Sequence, residues 1–403
     1  MGIYDIIKGV KNRTTKVCNF CFLFAKNVVK MGEFMRLYCE GMELSNAVMT
    51  VIKATSTKTT NPILEGIKLK AESDSLVLSA TDGELAIEKK IPADVKLGGE
   101  IVVPGKLFGE FVKKLDNEQI ELFLDEHNQL NLKYTDSVVH IQCQSAEEFP
   151  NIQQIENAQF FEVNQADFKD IIDKTVFSVA QDDTRPILKG CLLEEDGKTI
   201  TSVALDGFRL AIAKKPILQS SASCSIIAPS RSLIEISKLL TGTDKVRVFV
   251  QTNYLSLQID GTKIVSRCLG TKDDFINYKQ IIPSSFATSV IISKSQLLGA
   301  LERASILSHI GGENSVKFLI EGNLMTVSAK SEAGDVTEKI TISLDGEDLN
   351  IAFNINFFMD CLRNIAEDYV VLKFNGQVNP CFIVPNNDKQ EYTYLVSPIR
   401  QLS

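Results

Sequence analysis

Residues Asn61-Pro-Ile-Leu-Glu-Gly-Ile-Lys-Leu69 return 124 positions later as Arg185-Pro-Ile-Leu-Lys-Gly-Cys-Leu-Leu193. A second segment, Ala80–Ala86, returns at the same spacing as Ala204–Ala211. A fainter third copy passes through Glu321–Ala329. A fixed internal period is the signature of a chain built from repeated structural units. The sequence therefore predicts three tandem repeats, which fill the chain from Met35 onward without a low-complexity linker.

The pattern predicts two helices and about eight short strands in each repeat. The helical segments, recognised by apolar residues at helical spacing, are Leu44–Ile52, Leu107–Leu115, Phe168–Val179, Leu233–Leu240, Leu297–Ser305 and Phe357–Ile365. Short alternating runs lie between them, and the Asp-Gly pairs at 82–83 and 206–207 are typical of hairpin turns. The predicted fold class is α+β, with each helix pair packed on mostly antiparallel sheets.

The repeats place a first domain over residues 35–156, a second over 157–283 and a third over 284–403. Residues 1–34 differ in composition, with six basic and two acidic residues and an interrupted apolar stretch. That stretch is too short for a membrane span, and no small-residue cleavage site follows it, which disfavours a secretory signal. We expect residues 1–34 to be an extension that is not native or is disordered. Met35 is the expected native start, because the codons for Gly32-Glu33 can contain a ribosome-binding sequence.

The composition excludes several classes of protein. Hydrophobic residues make up 44% of the chain and charged residues 23%, which is normal for a globular protein. The formal charge of −8 argues against a protein that coats nucleic acid through its bulk charge, but it is compatible with a local basic face. Nine scattered cysteines, an odd number, indicate reduced thiols in a cytosolic protein.

The sequence motifs of enzymes are missing. The three histidines form no metal-spaced pair, and the chain has no phosphate loop, dinucleotide fingerprint or nucleophile elbow. Asp82 and Asp206 occupy equivalent turns and are candidates for paired catalytic carboxylates, but aspartates in such turns more often serve the backbone geometry. Cys18 and Cys21 form a single pair, whereas a structural zinc site needs four ligands. We expect no catalytic residue, no metal and no cofactor.

From Met35 onward the chain resembles the bacterial DNA polymerase III beta subunit family, the sliding clamps. The segments that carry the resemblance are Asp183–Gly190, Ala204–Ala211, Tyr278–Pro283, Phe353-Asn354 and Tyr394–Arg400. The resemblance implies three DNA-clamp domains per chain, and two chains that close head to tail into a ring of six domains. It also implies a DNA polymerase processivity factor of the cytoplasm and nucleoid, with no catalysis and no 3'-5' exonuclease activity. The implied partners are duplex DNA of any sequence, a second copy of the chain, the DNA polymerase III alpha subunit, the clamp loader delta subunit and other proteins with a clamp-binding motif.

A sliding ring should contact phosphates rather than base edges, since phosphate contacts carry no sequence information. The helical segments supply basic residues for these contacts. The DNA-facing candidates are Lys53, Lys58, Lys106, Lys174, Arg231 and Lys238. Lys58 is implied by the resemblance. Any one of the others is also compatible with an ordinary solvated helix face.

In the family, partner proteins insert a short peptide with hydrophobic anchors into a groove between the second and third domains. The matching positions are Leu188, Leu205, Gly207, Phe208, Arg209, Leu210, Ile276, Ile281, Asn354, Phe357, Val378, Leu395, Ser397, Pro398, Ile399 and Arg400. An apolar pocket with a few polar anchors suits an extended peptide. Residues expected to bury the peptide's apolar side chains are Leu188, Leu210, Ile281 and Ile399. Those expected to hold its backbone or a glutamine side chain are Arg209, Asn354 and Arg400.

The groove positions also differ from the family pattern. Leu205, Ile276 and Gln280 stand where threonine, proline and arginine are common in the family, and Ser397 stands where methionine often occurs. These differences predict a more apolar floor. Each apolar member is also compatible with a plain core position.

The resemblance implies a dimer interface at Val139 and Ile141 near the end of the first domain, and at Ile306 and Leu307 after the first helix of the third. Edge strands that meet there would close the ring without open sheet edges. Two alternatives remain at this point. One is a clamp paralogue with a repair or inhibitor-resistance role, and the other is an enzyme on a repeated α+β scaffold.

Overall fold

The computed structural model describes residues 33–56, 59–116, 118–155, 158–310, 314–387 and 391–399. The chain divides into two compact units, Met1–Ile152 and Gln153–Ser403. The predicted extension lies outside the described residues except for Glu33 and Phe34, which already belong to the first strand. The first strand therefore begins two residues before the expected start of the first domain.

The first unit contains two α-helices among its described residues, α1 (Gly41–Val51) and α2 (Gly105–Val112). The strands described in it are β1 (Glu33–Glu40), β2 (Gly66–Glu72), β3 (Ser75–Thr81), β4 (Leu85–Pro92), β5 (Asp94–Leu97), β6 (Gly99–Pro104), β7 (Gln119–Asp125), β8 (Gln129–Tyr134) and β9 (Ser137–Gln142). This unit holds the first repeat.

The second unit holds the other two repeats. The helices described in it are α3 (Gln165–Asp173), α4 (Ser230–Leu239), α5 (Lys294–Ile310) and α6 (Ile355–Arg363). The strands of the second repeat are β10 (Gln159–Asn164), β11 (Gly190–Glu195), β12 (Thr199–Leu205), β13 (Arg209–Pro216), β14 (Gln219–Ser220), β15 (Cys224–Pro229), β16 (Lys245–Gln251), β17 (Tyr254–Ile259) and β18 (Thr262–Arg267). Those of the third are β19 (Thr288–Ser293), β20 (Ser315–Glu321), β21 (Leu324–Ser331), β22 (Gly334–Thr341), β23 (Ser343–Asp345), β24 (Leu349–Asn354), β25 (Tyr369–Phe374), β26 (Cys381–Pro385) and β27 (Tyr392–Val396).

The strand order confirms the three-fold repeat. In the first unit, antiparallel strands run in the orders β5-β1-β7-β8-β9 and β6-β2-β3-β4. The second repeat has the same two arrangements, β14-β10-β16-β17-β18 and β15-β11-β12-β13, and the third has β23-β19-β25-β26-β27 and β24-β20-β21-β22. Because β13 pairs with β27, the second and third repeats share one continuous nine-stranded sheet.

The helices begin and end close to the predicted positions, for identifiable reasons. The helix predicted from Leu107 begins at Gly105, where a Cβ would lie 2.7 Å from the carbonyl oxygen of Glu65. The helix predicted to extend to Val179 ends at Asp173. There the buried Thr175 hydroxyl donates to the Ile171 carbonyl oxygen at 2.7 Å and lies 2.6 Å from the Ser202 hydroxyl. A short polar side chain that bonds its own backbone in this way favours a helix end.

The two Asp-Gly pairs form hairpin turns with almost identical geometry. Gly83 and Gly207 have φ of 93° and 96°, which is a conformation that glycine adopts without steric cost. One carboxylate oxygen of Asp82 accepts two backbone N–H groups at 2.9 and 2.8 Å, and Asp206 does the same at 2.8 and 2.9 Å. The two aspartates stabilise the turns through these hydrogen bonds. This supports the interpretation that they serve the backbone geometry rather than form a catalytic pair.

Candidate functional site

A buried apolar cluster lies where the second and third repeats share a sheet. Its members are Ala180, Leu188, Leu192, Val203, Leu205, Leu210, Ile212, Ile227, Phe275, Tyr278, Phe382 and Leu395. Leu210 is paired with both Leu205 on β12 and Leu395 on β27, so residues of both repeats meet side by side on one face. The predicted groove residues Leu188, Leu205, Leu210 and Leu395 are all buried here. They form the floor of the candidate groove.

The exposed and half-buried members of the candidate set are called the rim. Gly207, Phe208, Ile276, Ile281, Val378 and Ile399 are exposed, whereas Asn354, Phe357, Ser397 and Pro398 are half-buried. Phe208 is 63% exposed, and its ring stacks on Phe357 with a centroid distance of 6.2 Å. Ser397 donates its backbone N–H to the Phe208 carbonyl oxygen at 2.8 Å, which ties the last described segment to the hairpin. Arg400 lies outside the described residues.

The first turn of α6 closes this rim. The Asn354 side chain accepts the N–H of Asn356 at 3.0 Å and caps the helix, so its carboxamide oxygen already has a partner. Ile399 donates its N–H to the Ala352 carbonyl oxygen at 2.8 Å, and Pro398 bridges to Phe353. The chain after β27 therefore runs beside β24 and brings Ser397, Pro398 and Ile399 to the rim.

Arg209, which is expected to hold a bound peptide, makes several contacts within the protein. Its side chain is only 8% exposed and donates to Asp206 at 3.0 Å, to Asp360 at 2.7 Å and to the Phe177 carbonyl oxygen at 2.8 Å. The guanidinium also lies over the Phe357 ring at 4.6 Å. Through these contacts Arg209 fastens the second-repeat hairpin to α6 of the third repeat.

The segment that connects the two repeats, residues 268–287, is anchored on the same face by Glu194. The Tyr278 hydroxyl donates to this carboxylate at 2.9 Å, and the Lys272 and Lys279 ammonium groups pair with it. Burial pushes the pKa of Glu194 upward, but hydrogen bonds from Lys272, Tyr278 and Lys279 outweigh it and lower the pKa overall. Burial, with the Glu194 carboxylate, raises the pKa of Tyr278.

Cavities open on both sides of Tyr278. One of about 350 Å³ is lined by Leu192, Phe275 and Ile276, and one of about 270 Å³ by Ile212 and Ile282. The anchored tyrosine therefore separates two partly apolar cavities beside the buried cluster. Sequence reasoning missed Glu194, Tyr278 and the partners of Arg209, because no local pattern marks residues whose contacts are formed across the fold.

The first repeat provides an internal comparison. Its register is the same, with Lys68 opposite Ser79 as Leu192 is opposite Val203. Five positions of the buried cluster are apolar in the second repeat, whereas their counterparts in the first repeat are polar or small. They are Leu192, Val203, Leu205, Leu210 and Ile212, with the counterparts Lys68, Ser79, Thr81, Ala86 and Glu88. The two repeats share the same strand register at these positions. This face is apolar in the second repeat and not in the first because the side chains differ.

The DNA-facing candidates differ in accessibility. Lys53, Lys106, Arg231 and Lys238 are exposed, on or next to α1, α2 and α4. The Lys238 ammonium lies 2.7 Å from Glu235. Lys58 lies outside the described residues.

The expectation for Lys174 is corrected by the structure. Its side chain is buried, its ammonium contacts Asp170 at 2.8 Å, and it lies 5.1 Å from the centre of the Tyr392 ring. A lysine that is buried and paired in this way does not present its charge to a phosphate. Lys174 instead helps to join α3 to β27.

The proposed interface positions lie in different units. Val139 and Ile141 are on β9, which is the terminal strand of its sheet in the described residues. Ile141 is buried in its own unit, so the exposed apolar residue of this strand is Val138, which sequence reasoning missed. Ile306 is 66% exposed on α5, and Leu307 beside it is half-buried.

Among the residues that the structure describes, no cluster of three or more histidine, cysteine or acidic side chains is placed to hold a metal ion. No helix in the same described ranges is long and apolar enough to cross a membrane. The seven cysteines in those ranges are free thiols. Burial raises the pKa of the Cys191 thiol to about 12, so it carries little nucleophilic thiolate.

Comparisons with known proteins agree on one family. Family models of the DNA polymerase III beta subunit match its N-terminal domain at residues 35–153, its central domain at 162–272 and its C-terminal domain at 279–400. The beta sliding clamp of Halalkalibacterium halodurans is 32% identical over 365 residues, which is 87% of this chain and 95% of that protein.

Solved structures give the same result. The crystal structure of the Bacillus subtilis DNA polymerase sliding clamp is 28% identical and superimposes with a TM-score of 0.87, covering 92% of this chain and all of that one. A Pseudomonas aeruginosa sliding clamp bound to griselimycin is 25% identical with a TM-score of 0.84, covering 91% of this chain and all of that one.

Proposed function

We infer the function of this chain from the family to which it belongs: it is a member of the bacterial DNA polymerase III beta subunit family, the sliding clamps. It is a DNA polymerase processivity factor and a non-catalytic subunit. The observation that carries this conclusion is the match of all three domains, in order, to one family. A tether of this kind raises the effective concentration of polymerase at the primer end without new catalytic contacts. The matches are to beta sliding clamps, and the paralogue alternative is not favoured.

The clamp works as a ring dimer that partners DNA and polymerase, and we propose where its two copies meet. β9 lies at the end of a sheet in the first unit, and β22 lies at the end of the four-stranded sheet in the second. When such edge strands pair head to tail, the backbone N–H and C=O groups along both edges are hydrogen-bonded at the contact. The exposed Ile306, with Leu307 and Val139, supplies apolar area beside them. Val138 adds to this patch.

For duplex DNA we propose contacts through exposed basic residues of the helices and the segments beside them. Lys53, Lys106, Arg231 and Lys238 meet this condition, and Lys58 is added on the resemblance alone. Contacts to phosphates let a ring slide because they do not depend on the base sequence. We place the protein in the cytoplasm, with the nucleoid.

The partner peptides are proposed to bind over the buried cluster, along the rim formed by Phe208, Phe357, Ile276, Ile281 and Ile399. The partners with such peptides are the DNA polymerase III alpha subunit, the clamp loader delta subunit and other proteins with a clamp-binding motif. Each apolar anchor that is buried contributes about 1.5–3 kcal/mol. Binding requires the rim to open, since Leu188, Leu205, Leu210 and Leu395 are packed against one another.

Light scattering on the chain, with a labelled peptide from the alpha subunit titrated in, tests the ring and the groove together. We expect a mass near twice 44.6 kDa and saturable peptide binding. Ile281→Glu should weaken the peptide at least tenfold. Ile234→Glu, on α4, is the matched control because Ile281 and Ile234 are 42% and 40% exposed. A monomer that ignores the peptide, or equal effects of the two variants, would contradict the proposal.

A further inference from the structure

The third repeat carries, in the same register, an open polar counterpart of the apolar floor. Lys317 is opposite Ser328, and Ser328 is opposite Thr337, as Leu192 is opposite Val203 and Val203 opposite Ile212. The next row holds Lys330 opposite Asp335, where the second repeat has Leu205 opposite Leu210. These positions line a cavity of about 540 Å³, formed by residues of β20, β21 and β22.

In the first two repeats the chain itself covers this place. Phe149 packs on Ile63 and Val102 in the first repeat, and Lys68 lies 6.0 Å from the centre of its ring. Phe275 and Tyr278 pack on the corresponding face of the second. Among the described residues, the lining of the cavity in the third repeat comes from β20, β21 and β22.

The lining groups are those that bind carboxylates. Neither ammonium group, of Lys317 or of Lys330, is paired with a carboxylate in the described residues. Within those residues the hydroxyls of Ser315, Ser328 and Thr337 also make no hydrogen bond to protein. Asp335 is the one acidic residue of the lining, so the cavity is locally positive although the chain is net −8.

The strand geometry sets the spacing of the two cations. Lys317 is opposite Ser328, and Lys330 is two residues further along β21, so the two lysines are diagonal neighbours about 7–8 Å apart. Two residues of an extended peptide span about 6.6 Å, and their side chains point the same way. Carboxylates at positions i and i+2 of an extended segment therefore match the two ammonium groups. The residues between the two rows, Val316 and Ala329, are buried, and by strand alternation their side chains face the opposite side of the sheet.

We propose that this cavity of the third repeat binds an acidic peptide segment of a partner protein, in which two carboxylates separated by one residue pair with Lys317 and Lys330. The site is separate from the apolar groove, and it does not depend on the groove proposal. Each carboxylate gains a charge-assisted hydrogen bond from its ammonium group, and the hydroxyls of the lining supply further donors.

The test uses the full chain and a fluorescein-labelled peptide with an Asp-Ser-Asp core, followed by fluorescence anisotropy at low salt. We expect saturable binding, no binding of the Asn-Ser-Asn peptide, and at least a fivefold loss in the double variant Lys317→Gln/Lys330→Gln. Lys68→Gln at the same register position of the first repeat is the matched control and should change nothing. Asp335→Asn should tighten binding at least twofold, which damage to the fold would not produce.

Several outcomes would overturn the proposal: no binding of the Asp-Ser-Asp peptide at millimolar concentration, equal binding by the double variant, or displacement of the peptide by a saturating groove peptide. If a short single-stranded oligothymidylate binds tenfold more tightly and depends on the same two lysines, the ligand is nucleic acid rather than an acidic peptide. That outcome also rejects the proposal as stated.

Discussion

Replacing Arg209 by alanine should destabilise the second unit more than any exposed ion pair can. The change removes hydrogen bonds to Asp206 at 3.0 Å, to Asp360 at 2.7 Å and to the Phe177 carbonyl oxygen at 2.8 Å. It leaves the carboxylates of Asp206 and Asp360 without their guanidinium partner. Loss of one partner of a buried pair costs about 3–5 kcal/mol, and the partial exposure of Asp360 reduces this to about 3 kcal/mol. In a unit of this size that corresponds to a fall in Tm of about 6–12 °C.

Thermal unfolding followed by circular dichroism measures this, since the chain has no tryptophan to report by fluorescence. Protein concentration must be fixed because dimerisation is linked to stability. Arg363→Ala is the control on the same helix: its pair with Glu302 at 3.2 Å is exposed and should contribute less than about 1 kcal/mol. Equal shifts for the two variants would show that Arg209 does not join the repeats as described.

Peptide binding separates a positioning role of Arg209 from direct contact. Asp360→Asn keeps the Arg209 guanidinium but weakens the ion pair that attaches it to α6, next to the Phe357 ring. If Arg209 positions the rim, this variant should bind the alpha-subunit peptide several-fold more weakly. If Arg209 instead contacts the peptide, freeing it should leave the affinity unchanged or raise it.

Four further predictions follow from the site and the core. Leu210→Ala, at the centre of the buried cluster, should cost about 2–5 kcal/mol in urea unfolding, and a loss below 1 kcal/mol would place Leu210 outside the core. Ile306→Asp should yield monomers by light scattering, and a retained dimer mass would reject the interface. Glu194 has a lowered pKa, so its stabilisation is present above the ordinary glutamate pKa of about 4.3 and is lost as the pH falls through the lower folded value. The stability difference between wild type and Glu194→Gln should therefore vanish in acid, and a difference independent of pH would contradict this. With its pKa raised to about 12, the Cys191 thiol should resist iodoacetamide at pH 8 until the protein unfolds, and rapid alkylation seen by mass spectrometry would show that it is accessible.

Local patterns were sufficient for most of the fold. The repeat period predicted the three-fold architecture, and apolar spacing located all six helices in the described residues to within a few positions. The Asp-Gly pairs predicted the hairpins because that turn needs positive φ at its glycine, as Gly83 and Gly207 have. Such features depend on neighbours in sequence, and a single chain displays them.

The site was less predictable because its contacts are formed between distant residues. Lys174 looked like a basic residue at a helix end, but Tyr392 on β27 covers it. Arg209 looked like an exposed anchor, but Asp360, 151 residues further along the chain, engages it. Ile141 faces its own core, and the alternation along β9 leaves Val138 exposed instead. In each case burial depends on which strand or helix packs nearby, which the local sequence does not encode.

The apolar character of the proposed groove follows from two features of the second repeat. The first is side-chain identity: Val203 and Leu205 stand where the first repeat has Ser79 and Thr81, on the same backbone and register. The second is the pairing of β13 with β27, which brings Leu395 beside Leu210. One of the four floor residues, Leu395, thus comes from the third repeat. The proposed peptide site therefore depends on the joint between two repeats and not on the second repeat alone.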